Sequence, residues 1–204
     1  MIIRTEGLIP IAVASGVSWL ASRTRIGVLG YIPAAFVLWF FRDPVRAVPQ
    51  GKGLVLSPAD GRVIGVEKTT ESRVGACTKV SIFMSVFNVH VNRSPVNGQV
   101  IEKIYRPGTF HMANMGKKTQ DNERVIIYIR SKYGIIRVDQ VAGMVARRIV
   151  CWKDAQDRVD SGERIGLIKF GSLLECYVPE WMDVSSMVGD RVFAGQTILG
   201  RVQE

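Results

Sequence analysis

Three residues in this chain have side chains suited to covalent or proton-transfer chemistry in contexts that single them out. Gly171-Ser172 lies between two strand-like runs, residues 165–170 and 173–178, where a glycine normally weakens a ladder. Such a glycine marks a bulge with a small neighbour. Alternatively it frees the backbone so that the serine Oγ can reach the carbonyl just before it, a contortion that a missing Cβ makes feasible. The G-x-S-x-G elbow of serine hydrolases is absent from Lys169-Phe170-Gly171-Ser172-Leu173-Leu174, which argues against ordinary serine hydrolysis. The two histidines, His90 and His111, give a His-rich metal site almost no material, and no metal is expected. His90 closes an alternating run in which Val80, Ile82, Met84, Val86, Asn88 and His90 share parity. Taken alone, it is a strand-end histidine bonded to a backbone carbonyl. Asp60, in Pro58-Ala59-Asp60-Gly61, taken alone is a turn aspartate capping its own backbone.

The elements that must position these residues are short strands. From about residue 51 the chain runs in β-branched segments, with candidate strands at 62–66, 79–83, 86–91, 100–105, 124–130, 134–141, 165–170, 173–178 and 197–202. Turn signals separate them at Ala59-Asp60-Gly61, Pro95-Val96-Asn97-Gly98, Arg106-Pro107-Gly108, Ser161-Gly162 and Val188-Gly189-Asp190. This spacing predicts a mainly β body, a compact sandwich or barrel rather than a doubly wound parallel sheet. Residues 108–123 carry His111, lack a clear period and read as a long loop.

The N-terminus differs. Residues 7–22 and 26–41 are two uncharged stretches of 16 residues, separated by Arg23-Thr24-Arg25 and interrupted by Pro10 and Pro33. Each falls short of the roughly 20 residues that a spanning helix needs, so two strained spans, one shallow hairpin and buried core helices all fit. Trp19, Trp39 and the flanking arginines favour an interfacial position. Residues 1–41 are therefore expected to form an apolar, helical membrane anchor, and residues 42–204 a β-rich domain. Lys+Arg exceed Asp+Glu by 27 to 18, and both parts of the chain are basic. With no nucleic-acid motif, an anionic lipid surface is the expected partner. The three cysteines are widely spaced and odd in number, which suits a reducing, cytosol-facing protein without a disulfide framework.

Taken together and in order, FFRDP (40–44), SPADGRV (57–63), NVHVNRSPVNG (88–98), GERIGLIKFGS (162–172) and VGDRVFAGQTIL (188–199) resemble the phosphatidylserine decarboxylase family. The likeness runs from about residue 37 to the C-terminus and is closest to the short prokaryotic form, in which Gly-Ser replaces LGST. The last segment also resembles the closing hairpin of biotinyl/lipoyl-type modules, which implies a barrel-sandwich hybrid-like body, although no Met-Lys-Met carrier site accompanies it.

The resemblance implies an inactive precursor that cuts itself between Gly171 and Ser172 into residues 1–171 (β chain) and 172–204 (α chain). Ser172 Oγ attacks the Gly171 carbonyl in an N-to-O acyl shift. Loss of the serine α-proton then eliminates the ester, and the dehydroalanine hydrolyses to a pyruvoyl cofactor and ammonia. The family implies Asp60, His90 and Ser172 as a triad for this self-cleavage. In turnover, the pyruvoyl carbonyl forms a Schiff base with phosphatidylserine and acts as an electron sink while carbon dioxide leaves, giving phosphatidylethanolamine. His90 is the candidate acid and Asp60 the group that orients it. A noncovalent pair of chains on the cytoplasmic side of the cell membrane is the implied assembly. Where the longer form carries a second histidine, this chain has Arg93. Two other readings fit the residues: a pyruvoyl decarboxylase of another amino-acid headgroup, and an uncleaved, membrane-anchored hybrid-barrel binding module.

Overall fold

A computed structural model describes residues 2–24, 27–108, 121–143, 148–169 and 172–202. The chain falls into two compact units, Met1–Val45 and Arg46–Glu204.

In the first unit, strand β1 (Ile2–Ile3) pairs antiparallel with β2 (Arg42–Asp43). Between them lie helix α1 (Leu8–Ser22), a 3-10 turn over Gly27–Tyr31, and helix α2 (Ile32–Phe40). The prolines open these helices rather than break them. Pro10 and Pro33 each fall in a first turn, where a backbone N–H has no partner to lose. At its other end α1 is closed by hydroxyls, with Ser22 Oγ donating to the Trp19 carbonyl at 2.8 Å and Thr24 Oγ1 to the Ala21 carbonyl at 2.6 Å. Arg23 and Arg42 lie over the indoles of Trp19 and Trp39, 4.1 and 3.6 Å from the ring centroids. Both apolar stretches are thus helical. Neither takes the form of a spanning anchor, because α1, with 15 residues, is about 22 Å long against about 30 Å of hydrocarbon. Among the described residues no helix is long and apolar enough to cross a membrane.

The second unit is mainly β. Its strands are β3 (Leu54–Leu56), β4 (Gly61–Glu71), β5 (Gly75–Met84), β6 (Val91–Arg93), β7 (Gly98–Arg106), β8 (Arg124–Ser131), β9 (Gly134–Ala142), β10 (Ile149–Cys151), β11 (Arg158–Val159), β12 (Arg164–Ile168), β13 (Ser172–Pro179), β14 (Met182–Val184), β15 (Arg191–Val192) and β16 (Ile198–Val202). Eight of them form one antiparallel sheet in the order β11-β7-β8-β9-β13-β5-β4-β15, and two three-stranded sheets, β10-β12-β6 and β14-β16-β3, complete the unit. The period-2 alternation puts Val80, Ile82 and Met84 of β5, Ile136 and Val138 of β9, and Leu174 and Cys176 of β13 into one core with Ile165, Ile168 and Leu199 from the small sheets.

One expected strand is absent. Residues 86–91 do not continue the alternation, because β5 stops at Met84 and the chain turns. Asn88 Oδ1 accepts from the Ser85 N–H at 2.9 Å and from Ser85 Oγ at 2.8 Å, and the Asn88 N–H returns to the Ser85 carbonyl at 2.9 Å. Such local side-chain bonds compete with a ladder and here displace it. The chain then re-enters a different sheet at Val91.

The opposite face of the large sheet carries a charge network. Arg137 bridges Asp139 and Glu71, and Arg124 bridges Asp139 and Glu175. Burial alone pushes Glu71 up. Hydrogen bonds from the Arg73 N–H, the Tyr128 hydroxyl, the Val74 N–H and the Ser72 hydroxyl outweigh it and hold the carboxyl at about 2. A depressed carboxylate stabilises the fold above its unfolded pKa, and that contribution is lost as pH falls through the folded value. The unfolding midpoint is therefore expected to fall between about pH 4.5 and pH 2, and Glu71→Gln should flatten that part of the profile. An unchanged slope in the variant would show that other groups set it.

Candidate active site

The three candidate residues reach one corner of the second unit through strand register. Ser172 opens β13 in the middle of the large sheet, opposite Met84 of β5 and Ala142 of β9. His90 ends the turn that follows β5, and its carbonyl accepts the Ile168 N–H at 3.3 Å, one step beyond the Val91–Leu167 pair. The segments leading to and from the two residues therefore run side by side where the large sheet hands over to the β10-β12-β6 sheet. Asp60 stands just before β4, whose Arg62 pairs with Phe83 at the same end of β5. The Pro58 carbonyl accepts the Arg93 N–H at 2.9 Å, which ties that loop to β6. Gly61 is needed beside it, since a Cβ there would sit 2.1 Å from the Phe83 carbonyl oxygen.

The side chains are buried and individually held. Ser172 is fully buried, and its hydroxyl donates to Met84 Sδ at 3.5 Å. A thioether is a weak acceptor and no base, so this contact leaves the hydroxyl protonated. His90 is also fully buried, with Nδ1 3.0 Å from the Asn88 carbonyl oxygen. A carbonyl can only accept, so Nδ1 carries the proton and the basic lone pair of the neutral ring is on Nε2. The strand-end role thus coexists with a fixed tautomer. Asp60 does not cap its own backbone. Its Oδ1 accepts the Ala194 N–H at 2.8 Å, and its Oδ2 pairs with Arg46 Nη2 at 2.8 Å. Gly171 and His111 lie outside the described residues.

The Arg46–Asp60 pair is buried on both sides. Removing one partner of a buried pair leaves an uncompensated charge, which typically costs about 3–5 kcal/mol. Arg46→Met is therefore expected to lower the denaturant midpoint of the second unit markedly. A midpoint within error of wild type would mean that the pair is solvated in solution.

Sequence reasoning missed the polar residues behind Ser172. Asn92 Nδ2 donates to the same Met84 sulfur at 3.6 Å, and Asn92 Oδ1 accepts from Gln140 Nε2 at 2.8 Å. Gly166 makes room for that amide, since a Cβ there would lie 2.6 Å from Gln140 Nε2. The signal was present in the sequence: Gln140 shares parity with Val138 and Ala142, an amide at a core-facing position. Arg93 is buried and donates to the Gly162 carbonyl at 2.9 Å, so the residue at the position of the longer form's second histidine braces the turn before β12. Among the described residues no group of three or more His, Cys, Asp or Glu could hold a metal ion. Burial pushes the Cys176 thiol up to about 12.

Comparison with known proteins covers the whole of this region. A family model described as phosphatidylserine decarboxylase matches residues 34–200, which include Asp60, His90 and Ser172. The chain belongs to the phosphatidylserine decarboxylase family. Relatives named phosphatidylserine decarboxylase proenzyme occur in Desulfotalea psychrophila, 43% identical over 97% of this chain and 95% of the relative, and in Syntrophus aciditrophicus, 44% identical over 97% and 96%. Another, in Symbiobacterium thermophilum, is 48% identical over 84% of this chain and 81% of its own length. The relatives are thus named both as decarboxylases and as proenzymes.

Proposed function

We infer that this chain is the proenzyme of a phosphatidylserine decarboxylase that cleaves itself between Gly171 and Ser172 and carries the resulting pyruvoyl group at the start of residues 172–204. The observation that carries the reading is the family match across the corner where Ser172 opens a central strand. Ser172 Oγ adds to the Gly171 carbonyl carbon, and the peptide C–N bond breaks to leave an ester and a free amine. Removal of the α-proton then breaks the Cβ–Oγ bond, so Oγ leaves with the new Gly171 carboxylate. Tautomerisation, addition of water and loss of ammonia convert the remaining dehydroalanine to pyruvoyl. His90 is the base for these transfers through Nε2, with its Nδ1 proton held by the Asn88 carbonyl. Asp60 supplies a fixed negative charge at the same corner.

The surroundings of Ser172 suit the product. Met84 Sδ, a poor partner for a hydroxyl, is a good van der Waals neighbour for the methyl group that Cβ becomes. When formed, the pyruvoyl carbonyl supplies the electron sink for loss of carbon dioxide from an amine-bound substrate. The residues of this chain bury that centre, keep water from it and return a proton from His90.

The two fragments stay together in this reading. Residues 172–204 contribute β13 between β5 and β9, and also β16 against β3, so separation would break the large sheet at its centre. The body is of the barrel-sandwich hybrid kind. The apolar helices of residues 1–41, with arginines stacked on indoles, associate with the cytoplasmic face of an anionic membrane without a spanning helix. Release of carbon dioxide from phosphatidylserine vesicles by the purified full chain tests the function. The expected product is phosphatidylethanolamine, with free serine left untouched. Turnover of free serine alone would overturn the substrate assignment.

A further inference from the structure

The second unit carries an apolar turn where a soluble protein normally places polar residues. Met187 and Val188 are 69% and 64% exposed at the tip between β14 and β15, and Phe193, just after β15, and Ile64, on β4, are each 38% exposed. The turn is well built. The Asp190 carboxylate accepts the Met187 N–H at 2.8 Å, the Asp190 N–H returns to the Met187 carbonyl at 3.1 Å, and the Gly189 N–H bonds the Val63 carbonyl at 2.8 Å. Gly189 takes φ +101° with nothing near its missing Cβ, so the tip projects into open space. Basic residues surround it. Arg62 donates to the Gly189 carbonyl at 3.2 Å, and Arg191 and Arg46 lie over the Phe193 ring at 5.3 and 5.9 Å. Asp190, the acid of the turn, is committed to the turn itself.

We propose that the Met187–Asp190 turn, with Ile64, Phe193, Arg62 and Arg191, docks the catalytic unit on an anionic lipid surface and sets the site at headgroup depth. The proposal rests on the assigned lipid substrate. Four apolar side chains cannot approach the about 800 Å2 per partner that a stable protein interface buries. They suit shallow insertion between acyl chains, with arginines on the phosphates. Position supports the same occupant. Phe193 adjoins Ala194, whose N–H holds Asp60, and Gly189 bonds Val63, three residues from Asp60 and so on the order of 10 Å along the strand. A diacyl substrate that keeps its tails in the bilayer can present its headgroup only to a site held this close.

The experiment uses the processed full chain. Val188→Asp is expected to raise KM about tenfold for long-chain phosphatidylserine in phosphatidylcholine vesicles, while kcat and KM for a water-soluble short-chain phosphatidylserine and the thermal midpoint stay unchanged. In parallel, Val188→Cys in a Cys151→Ser background carries a polarity-sensitive fluorophore. Its emission should shift to the blue, and be quenched by brominated acyl chains, on adding vesicles containing phosphatidylserine. Unchanged vesicle kinetics with an aqueous fluorophore would overturn the proposal. Equal losses on both substrates would also overturn it, because the turn would then act through the site or the fold. A blue shift that grows with protein concentration and needs no vesicles would assign the patch to a second copy instead. If wild type turns over neither substrate, the functional reading fails, and the fluorophore still decides whether the turn enters lipid.

Discussion

Ser172→Ala is expected to give a single uncleaved chain that releases no carbon dioxide from phosphatidylserine. The substitution removes one atom. Alanine keeps the Cβ that packs at the start of β13, and the hydrogen bond lost is a 3.5 Å contact to a thioether. Little stability is at stake, about 1 kcal/mol or less. Chemically the loss is complete, because without Oγ there is no acyl shift, no ester to eliminate and no pyruvoyl group. The variant should fold with wild-type circular dichroism and run as one band in a denaturing gel. A cleaved variant, or an uncleaved one that still releases carbon dioxide, would place the chemistry elsewhere.

His90→Gln should slow self-cleavage by about 10²–10⁴-fold, the range a positioned general base contributes. Glutamine is chosen because His90 is fully buried and its ring contacts fix the turn before β6. An amide can still donate to the Asn88 carbonyl, but it lacks the basic nitrogen that Nε2 supplies. Asp60→Asn should slow the reaction less, since an amide oxygen can keep the Ala194 N–H while the charge beside Arg46 is lost. The measurement is the rate at which freshly purified precursor converts to two chains, with the thermal midpoint as a control for folding. Wild-type rates in both variants would remove the two residues from the chemistry. A lost rate together with a lost midpoint in His90→Gln is resolved by adding imidazole. Recovery of cleavage would mark His90 as the base.

Much of the sheet was legible because it rests on local signals. The β-branched runs gave β8, β9 and β13 nearly to their ends but only the second half of β5, and Gly171-Ser172 stood out by falling where a strand begins. The turn at 85–88 was not legible as one, because Val86, Asn88 and His90 keep the strand period and only the side chain of Asn88 breaks it. Pairings distant in sequence were equally hidden. Nothing in Pro58-Ala59-Asp60-Gly61 announces that the carboxylate will find Arg46 and the main chain of Ala194, 134 residues away. Gln140 shares its face with the apolar Val138 and Ala142, and its partner Asn92 is brought to it by the packing of one sheet on another. The N-terminal stretches were read correctly as helical. Their prolines were misread as interruptions because a first turn tolerates what a helix interior does not.

The intact mass of the purified, freshly expressed protein under denaturing conditions tests the central claim most directly. Two species are expected, residues 1–171 and residues 172–204, which together exceed the encoded chain by one water less one ammonia, with the nitrogen lost from the shorter fragment. A single species of 22.6 kDa, still intact after long incubation with phosphatidylserine vesicles, would contradict self-cleavage.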